Sequence, residues 1–141
     1  MTETKQAKPA KTKVIQTSGK RKFATARATL RPGKGRITIN EQLLNVYTPE
    51  FSKQRIMEPL LLAEGVANTV DIDVRVAGGG FQGQTEAVRL AIGKALVEFD
   101  KKLKRTFLDY DRHLLVADIR RKETRKPNDS KARASRQTSY R

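Results

Sequence analysis

Two stretches in the middle of the chain alternate between apolar and polar positions. Over residues 23–30, Ala24, Ala26, Ala28 and Leu30 share one side while Thr25, Arg27 and Thr29 share the other, which predicts a strand with one dry and one wet face. Residues 70–76 repeat this more strongly, with Val70, Ile72, Val74 and Val76 inward and Asp71, Asp73 and Arg75 outward. A shorter alternation over 36–40 turns Ile37 and Ile39 inward. The segment before it, Arg31-Pro32-Gly33-Lys34-Gly35, places Pro and Gly where a turn needs them. A hairpin of 23–30 with 36–40 is therefore expected, showing Arg27, Arg31, Lys34 and Arg36 on its polar side and tip. A short strand at 14–17, ended by Ser18-Gly19, precedes it.

The remaining periodicity is helical. Thr48-Pro49-Glu50 reads as an N-cap, a first-turn proline and a first-turn acid. The helix it starts should break or restart at Pro59 and end at Gly65. A longer helix is predicted over 84–99, with Val88, Ala91, Ile92, Ala95, Leu96 and Phe99 on one face covering the sheet. Residues 101–110 suggest one more helix, whereas 114–117 is too short to assign. The order β-β-β-α-β-α predicts an α+β sandwich of two layers.

Charge divides the chain differently. Of 141 residues, 30 are Lys or Arg and 15 Asp or Glu, a net +15. Residues 1–22 hold a net +6, residues 120–141 a net +7 and the middle 97 residues only +2. The two end pieces contain eight apolar residues between them, too few to offset the entropy of ordering unless a polyanion supplies the interaction. Solubility alone would account for one basic tail. A membrane surface would need an apolar face that neither tail has, so nucleic acid is the favoured partner and no membrane is expected. The longest apolar run is about five residues, around 60–63, against roughly 20 for a bilayer span. The N-terminus also lacks a secretory h-region, and an intracellular protein is expected.

The candidate chemistry is sparse. With no Cys and only His113, a disulfide framework, a thiol nucleophile and a His/Cys zinc site are excluded within the chain. Gly78-Gly79-Gly80-Phe81-Gln82-Gly83 fits G-x-G-x-x-G formally, but a dinucleotide strand is apolar on both faces and 70–76 has a wet one. Two readings stay open for the glycines: backbone N–H groups held near a phosphate at a helix N-terminus, or a purely structural tight turn. Asp71 with Asp73, and Asp109 with Asp111, have carboxylate-pair spacing, yet a solvated strand face or surface is the plainer reading. Nothing would activate a Ser nucleophile, so no enzyme activity, metal or cofactor is expected. The last stretch, 131–141, mixes Lys131, Arg133, Arg136 and Arg141 with Gln137, Ser139 and Tyr140. Forked cations, hydroxyls and a stacking ring suit RNA, and a frayed tail is the alternative. A free-standing architectural DNA-binding protein also fits the charge, although no helix-turn-helix or minor-groove wedge is visible.

Three motifs in this order resemble the family of the ninth protein of the small ribosomal subunit. The first is Ser18-Gly19-Lys20-Arg21-Lys22-Phe23-Ala24-Thr25-Ala26-Arg27-Ala28, running into Arg31-Pro32-Gly33-Lys34-Gly35-Arg36-Ile37-Thr38-Ile39-Asn40. The second is Gly78-Gly79-Gly80-Phe81-Gln82-Gly83-Gln84 followed by Ala87-Val88-Arg89-Leu90-Ala91-Ile92. The third is Lys131-Ala132-Arg133 with Gln137-Thr138-Ser139-Tyr140-Arg141. The resemblance implies a domain of the ribosomal S5-second-domain type, a four-stranded sheet backed by helices. A basic extension would occupy residues 1–12, the RNA-binding body 13–119 and a basic tail 120–141. It further implies a cytoplasmic, non-enzymatic component of the small-subunit head, bound to the 3′ major domain of 16S-type rRNA beside other head proteins and not a homo-oligomer. The rRNA contacts it implies are Lys20, Arg21, Lys22, Arg27, Arg31, Lys34, Arg36, Gly78, Gly79, Gly80, Gln82, Gln84, Arg89, Arg120, Arg121, Lys122, Arg125 and Lys126. The tail residues Lys131, Arg133, Arg136, Gln137, Ser139, Tyr140 and Arg141 would reach the anticodon stem-loop of P-site tRNA, with Arg141 at a phosphate. Ser139-Tyr140-Arg141 is more like archaeal members than the bacterial Ser-Lys-Arg ending. Pro127-Asn128-Asp129-Ser130 stands where many members have a glycine-rich stretch, and Glu41 where a glycine often follows Asn40.

Overall fold

The computed structural model describes residues 14–134 and 139. Strand β1 (Ile15–Arg21) runs antiparallel to β2 (Ala24–Pro32), from Ile15 opposite Leu30 to Arg21 opposite Ala24. β3 (Ile37–Ile39) and the two-residue β4 (Gln42–Leu43) follow, and β5 (Val70–Ala77) completes a mixed sheet ordered β1-β2-β5-β3-β4. The sheet thus has five strands where four were expected.

The expected hairpin of 23–30 with 36–40 does not form. β5 lies between its two halves, antiparallel to β2 and parallel to β3. The reason is apolar content: β5 buries Val70, Ile72, Val74 and Val76, and a central position pairs both its edges while that side chain row meets Leu30 and Ala28 on one flank and Ile37 and Ile39 on the other. The hairpin that does form is β1 with β2, and β1 continues through Ser18-Gly19 instead of stopping there. β3 and β4 turn on Asn40 and Glu41, both at positive φ (46° and 70°), the conformation in which glycine is usual.

The described helices lie on one face. α1 (Glu50–Leu62) runs past Pro59 without a break. The proline removes one helical hydrogen bond, and the burial of its ring with Ser52, Ile56 and Leu60 on one stripe against the next long helix outweighs the loss. A non-helical residue, Ala63, ends it, and α2 (Glu64–Ala67) carries Gly65 inside a short turn of helix. α3 (Phe81–Phe99) starts earlier than the periodicity indicated and crosses β1 and β2. The crossing is close because the facing residues are small: Ala24, Ala26 and Ala28 are buried beneath it, and a Cβ at Gly19 would overlap the Ala87 carbonyl oxygen and stand 2.8 Å from Ala91 N. Thr17 Oγ1 donates to the Ala91 carbonyl at 2.8 Å across the same contact. Phe99, expected in the core, is 37% exposed at the helix end. α4 (Leu103–Tyr110) and a 3-10 turn at Arg112–Leu114 close the helical layer, burying Phe107 and Leu114.

Candidate nucleic-acid interface

Among the described residues, one face of the sheet carries no helix, and it is the charged one. β2 and β5 point Arg27, Arg31, Asp71, Asp73 and Arg75 outward there, and the pairing register sets Arg27 directly opposite Arg75, Thr29 opposite Asp73 and Arg31 opposite Asp71. Like charges facing across a strand pair destabilise it. Neither Arg27 nor Arg75 has an ion-pair partner among the described residues. The two arginines line an open trough of about 740 Å³ with Arg31, Gln16, Ser18 and Thr38, and the acids Asp73 and Glu41 line it as well. An anion laid in this trough would relieve the repulsion. Arg75 belongs to this group although the motifs did not single it out; its signal was its place in the outward row of β5.

The two aspartates on this face are structural. Asp71 accepts from the amides of Lys34 (2.8 Å) and Arg36 (2.9 Å) and so shapes the loop that presents those two cations. The amide of Arg36, then that of Lys34, holds the Asp71 carboxyl below its ordinary range. Asp73 accepts from Thr38 Oγ1 at 2.5 Å, tying β5 to β3.

A second cationic surface forms at the end of the domain where the first two motifs meet the start of the basic tail. The β1–β2 turn puts Lys20, Arg21, Lys22 and Phe23 over the glycine run. Gly78 and Gly79 have φ of 78° and 66°, and a Cβ at either would stand 2.7 Å from Phe23 O or 3.0 Å from Ala24 N. These two glycines are therefore required by a tight chain crossing. Gly80 is different: open space surrounds it and it precedes α3, where Gln84 N–H makes the first intrahelical bond, leaving the N–H groups of Phe81, Gln82 and Gly83 at the helix end. Gln84 is used internally, its side-chain amide donating to Gly78 O at 3.2 Å.

The start of the basic tail reaches this same end. Asp118 accepts from the Arg120 guanidinium at 2.7 Å, and also pairs with Arg21 of β1. Arg120, Arg121 and Lys122 line a hollow with Lys22 and Phe23. Lys20, Lys22, Arg121, Lys122, Arg125 and Lys126 are exposed. Lys131 is exposed as well, while Arg133 forks onto Glu123 at 2.5 and 2.9 Å. Ser139 is exposed, and Arg136, Gln137, Tyr140 and Arg141 lie outside the described residues.

Arg89 is a correction. Its side chain is only 2% exposed and cannot meet RNA; it is held by Glu58 at 2.5 Å, Asp111 at 2.9 Å and Glu86 at 3.9 Å. Arg55 joins the group through Glu58 and Glu86. The cluster ties α1, α3 and the segment after α4 together. Asp111, read from sequence as a surface acid, also accepts from His113 N–H at 2.8 Å and caps the 3-10 turn. Burial pushes its carboxyl up, but the His113 amide and the Arg89 guanidinium outweigh this and hold it below the usual range.

Comparison with known proteins adds independent information. The family profile described as ribosomal protein S9/S16 matches residues 19–141. The chain is 49% identical over 133 residues to the small ribosomal subunit protein uS9 of Methanococcus maripaludis, an archaeon; the match covers 92% of this chain and 99% of that one.

Proposed function

The chain belongs to the ribosomal protein S9/S16 family, a family of structural proteins and not enzymes, and on that premise we propose that it binds small-subunit rRNA through its open sheet face and its β1–β2 end. Residues 13–119 act as the binding body, while 1–12 and 120–141 act as basic extensions. The head of the subunit is the site, with the 3′ major domain of the rRNA and the neighbouring head proteins as partners. The sheet backed by helices on one face supports the S5-second-domain type, β4 being a two-residue addition to the four main strands.

The observation that carries this reading is the pair Arg27 and Arg75, opposed across two strands on a face free of the described helices, neither held in an ion pair among the described residues although Asp73 and Glu41 line the same trough. A surface of that kind is completed by phosphate. Lys20, Lys22, Lys34, Arg36, Gln82 and the exposed cations of 120–126 extend the contact, Gly80 lets the backbone approach at the α3 N-terminus, and Arg31 lies at its edge. Gly78, Gly79 and Gln84 shape the site from beneath. The C-terminal residues from Lys131 to Arg141 reach the P-site tRNA anticodon stem-loop, and Arg133 must exchange Glu123 for phosphate to take part. If the seven net charges of 120–141 all met phosphates, the logarithmic salt slope from the tail alone would be roughly −5.

The test is a sucrose gradient of native lysate in moderate salt, probed for this protein across free, small-subunit and polysome fractions. Sedimentation with small subunits and polysomes that ribonuclease abolishes is the expected result. Recovery in the light fractions, or with DNA, would reject the reading.

A further inference from the structure

The cleft beside the β1–β2 turn has a composition that phosphate binding alone does not require. It encloses about 350 Å³, within the range of roughly 300–1,000 Å³ typical of pockets for small ligands. Its rim is cationic, with Lys20, Lys22 and Arg120, but one wall is the ring of Phe51, 62% exposed on the first turn of α1. Phe51 takes no part in the core, which α1 builds from Ser52, Ile56, Pro59 and Leu60 on another side of the helix. Leu90 and Val116 add apolar surface within the cleft, and Gln82 supplies an amide with both a donor and an acceptor.

We propose that this cleft takes one unstacked nucleotide of single-stranded RNA, its base against the Phe51 ring and its phosphates on the Lys20, Lys22 and Arg120 rim. An aromatic face beside a cationic track is the arrangement by which single-stranded nucleic acid is held, each base supplying a π-face and each phosphate a charge. Asp118 fits the assignment: by holding Arg21 and Arg120 it keeps the rim guanidinium of Arg120 oriented at the cleft mouth. A duplex would offer no free base face to the Phe51 ring, because its bases are stacked on one another. The inference rests on the rRNA-binding reading above and adds the class of RNA element that the domain end recognises.

The test uses the purified full chain and two fluorescent RNA hexamers of equal charge, one bearing bases and one abasic at every position. The wild type should bind the base-bearing hexamer at least about fivefold more tightly. Phe51→Ala should abolish most of that preference while leaving the salt slope unchanged, and Phe51→Trp should keep it. Circular dichroism of both variants checks the fold, which an exposed ring should not disturb. Equal affinity of the wild type for the two hexamers, or a preference that survives Phe51→Ala, would overturn the proposal. Failure to bind either hexamer would instead reject the RNA-binding reading itself, so the two failures are distinguishable.

Discussion

Replacing Arg89 by Met should destabilise the protein without touching its affinity for RNA. The guanidinium is buried between α1 and α3, with Glu58 and Asp111 at 2.5 and 2.9 Å. Met fills similar space, so little of the loss comes from a cavity. Removing one partner of a buried ion pair typically costs about 3–5 kcal/mol, because the other partner is left uncompensated. Glu58 and Asp111 keep 21% and 29% of their side chains accessible, and water can reach them in the variant, which places the cost near the lower end, about 3 kcal/mol. The pH dependence separates this mechanism from simple mispacking. In the wild type the Asp111 carboxyl is depressed, so its contribution is complete above its unfolded pKa and is lost as pH falls through the lower folded value. In the variant Asp111 loses the Arg89 guanidinium that helps to hold its carboxyl down and protonates more readily, so the penalty should shrink between about pH 7 and about pH 4. Urea unfolding followed by far-ultraviolet circular dichroism at both pH values measures this. A penalty below about 1 kcal/mol at pH 7, or one that does not shrink on acidification, would refute the reasoning. An unchanged salt slope for RNA binding is expected beside it.

Arg75→Ala should lower the salt slope for RNA by about 0.7–0.9, the loss of one phosphate contact, and should not destabilise the sheet, since it removes the repulsion with Arg27; titration of RNA affinity against salt decides. Asn40 donates to Val76 O at 3.0 Å and accepts from Val76 N–H at 2.9 Å, so Asn40→Ala leaves two backbone groups unpaired and should cost about 1–3 kcal/mol in chemical unfolding. The carboxyl of Asp71 is depressed, so its hold on the Lys34 and Arg36 amides persists above the ordinary carboxylate range and is lost as pH falls through the lowered value; hydrogen exchange at these amides, corrected for intrinsic rate, should accelerate only on that acidification. Deletion of residues 136–141 should leave subunit assembly intact and weaken retention of P-site tRNA on mutant subunits, measured by filter binding.

Alternation was the most readable feature of this chain, because period two records which face of a strand is dry whatever the strand's neighbours are. It therefore identified the inner rows of β2 and β5 and the inward Ile39. It could not say which strands pair. Residues 23–30 and 36–40 are adjacent in sequence, but β5 displaces that pairing from more than 30 residues away. Arg89 stood among the rRNA contacts through the resemblance, and a charged residue carries no sign of burial in its own sequence; only the proximity of Glu58, Glu86 and Asp111, from three separate segments, makes its burial tolerable. The same distance hid the roles of Asp71 and Asn40, whose partners lie about 35 residues off. The cations of the β1–β2 turn were legible as a run, whereas their convergence with Arg120 through Asp118 was not.

That shared aspartate has a mechanical meaning. It fastens the point at which the chain leaves the folded body to the end of the edge strand β1, so the tail is a tether with a fixed origin. The 16 described residues that follow, 119–134, could span at most about 58 Å if fully extended, and their placement is measured from Asp118. Loosening that clasp would not shorten the tether; it would blur where the tether begins, and a fingertip aimed at a distant target loses more from an unsteady wrist than from a shorter reach.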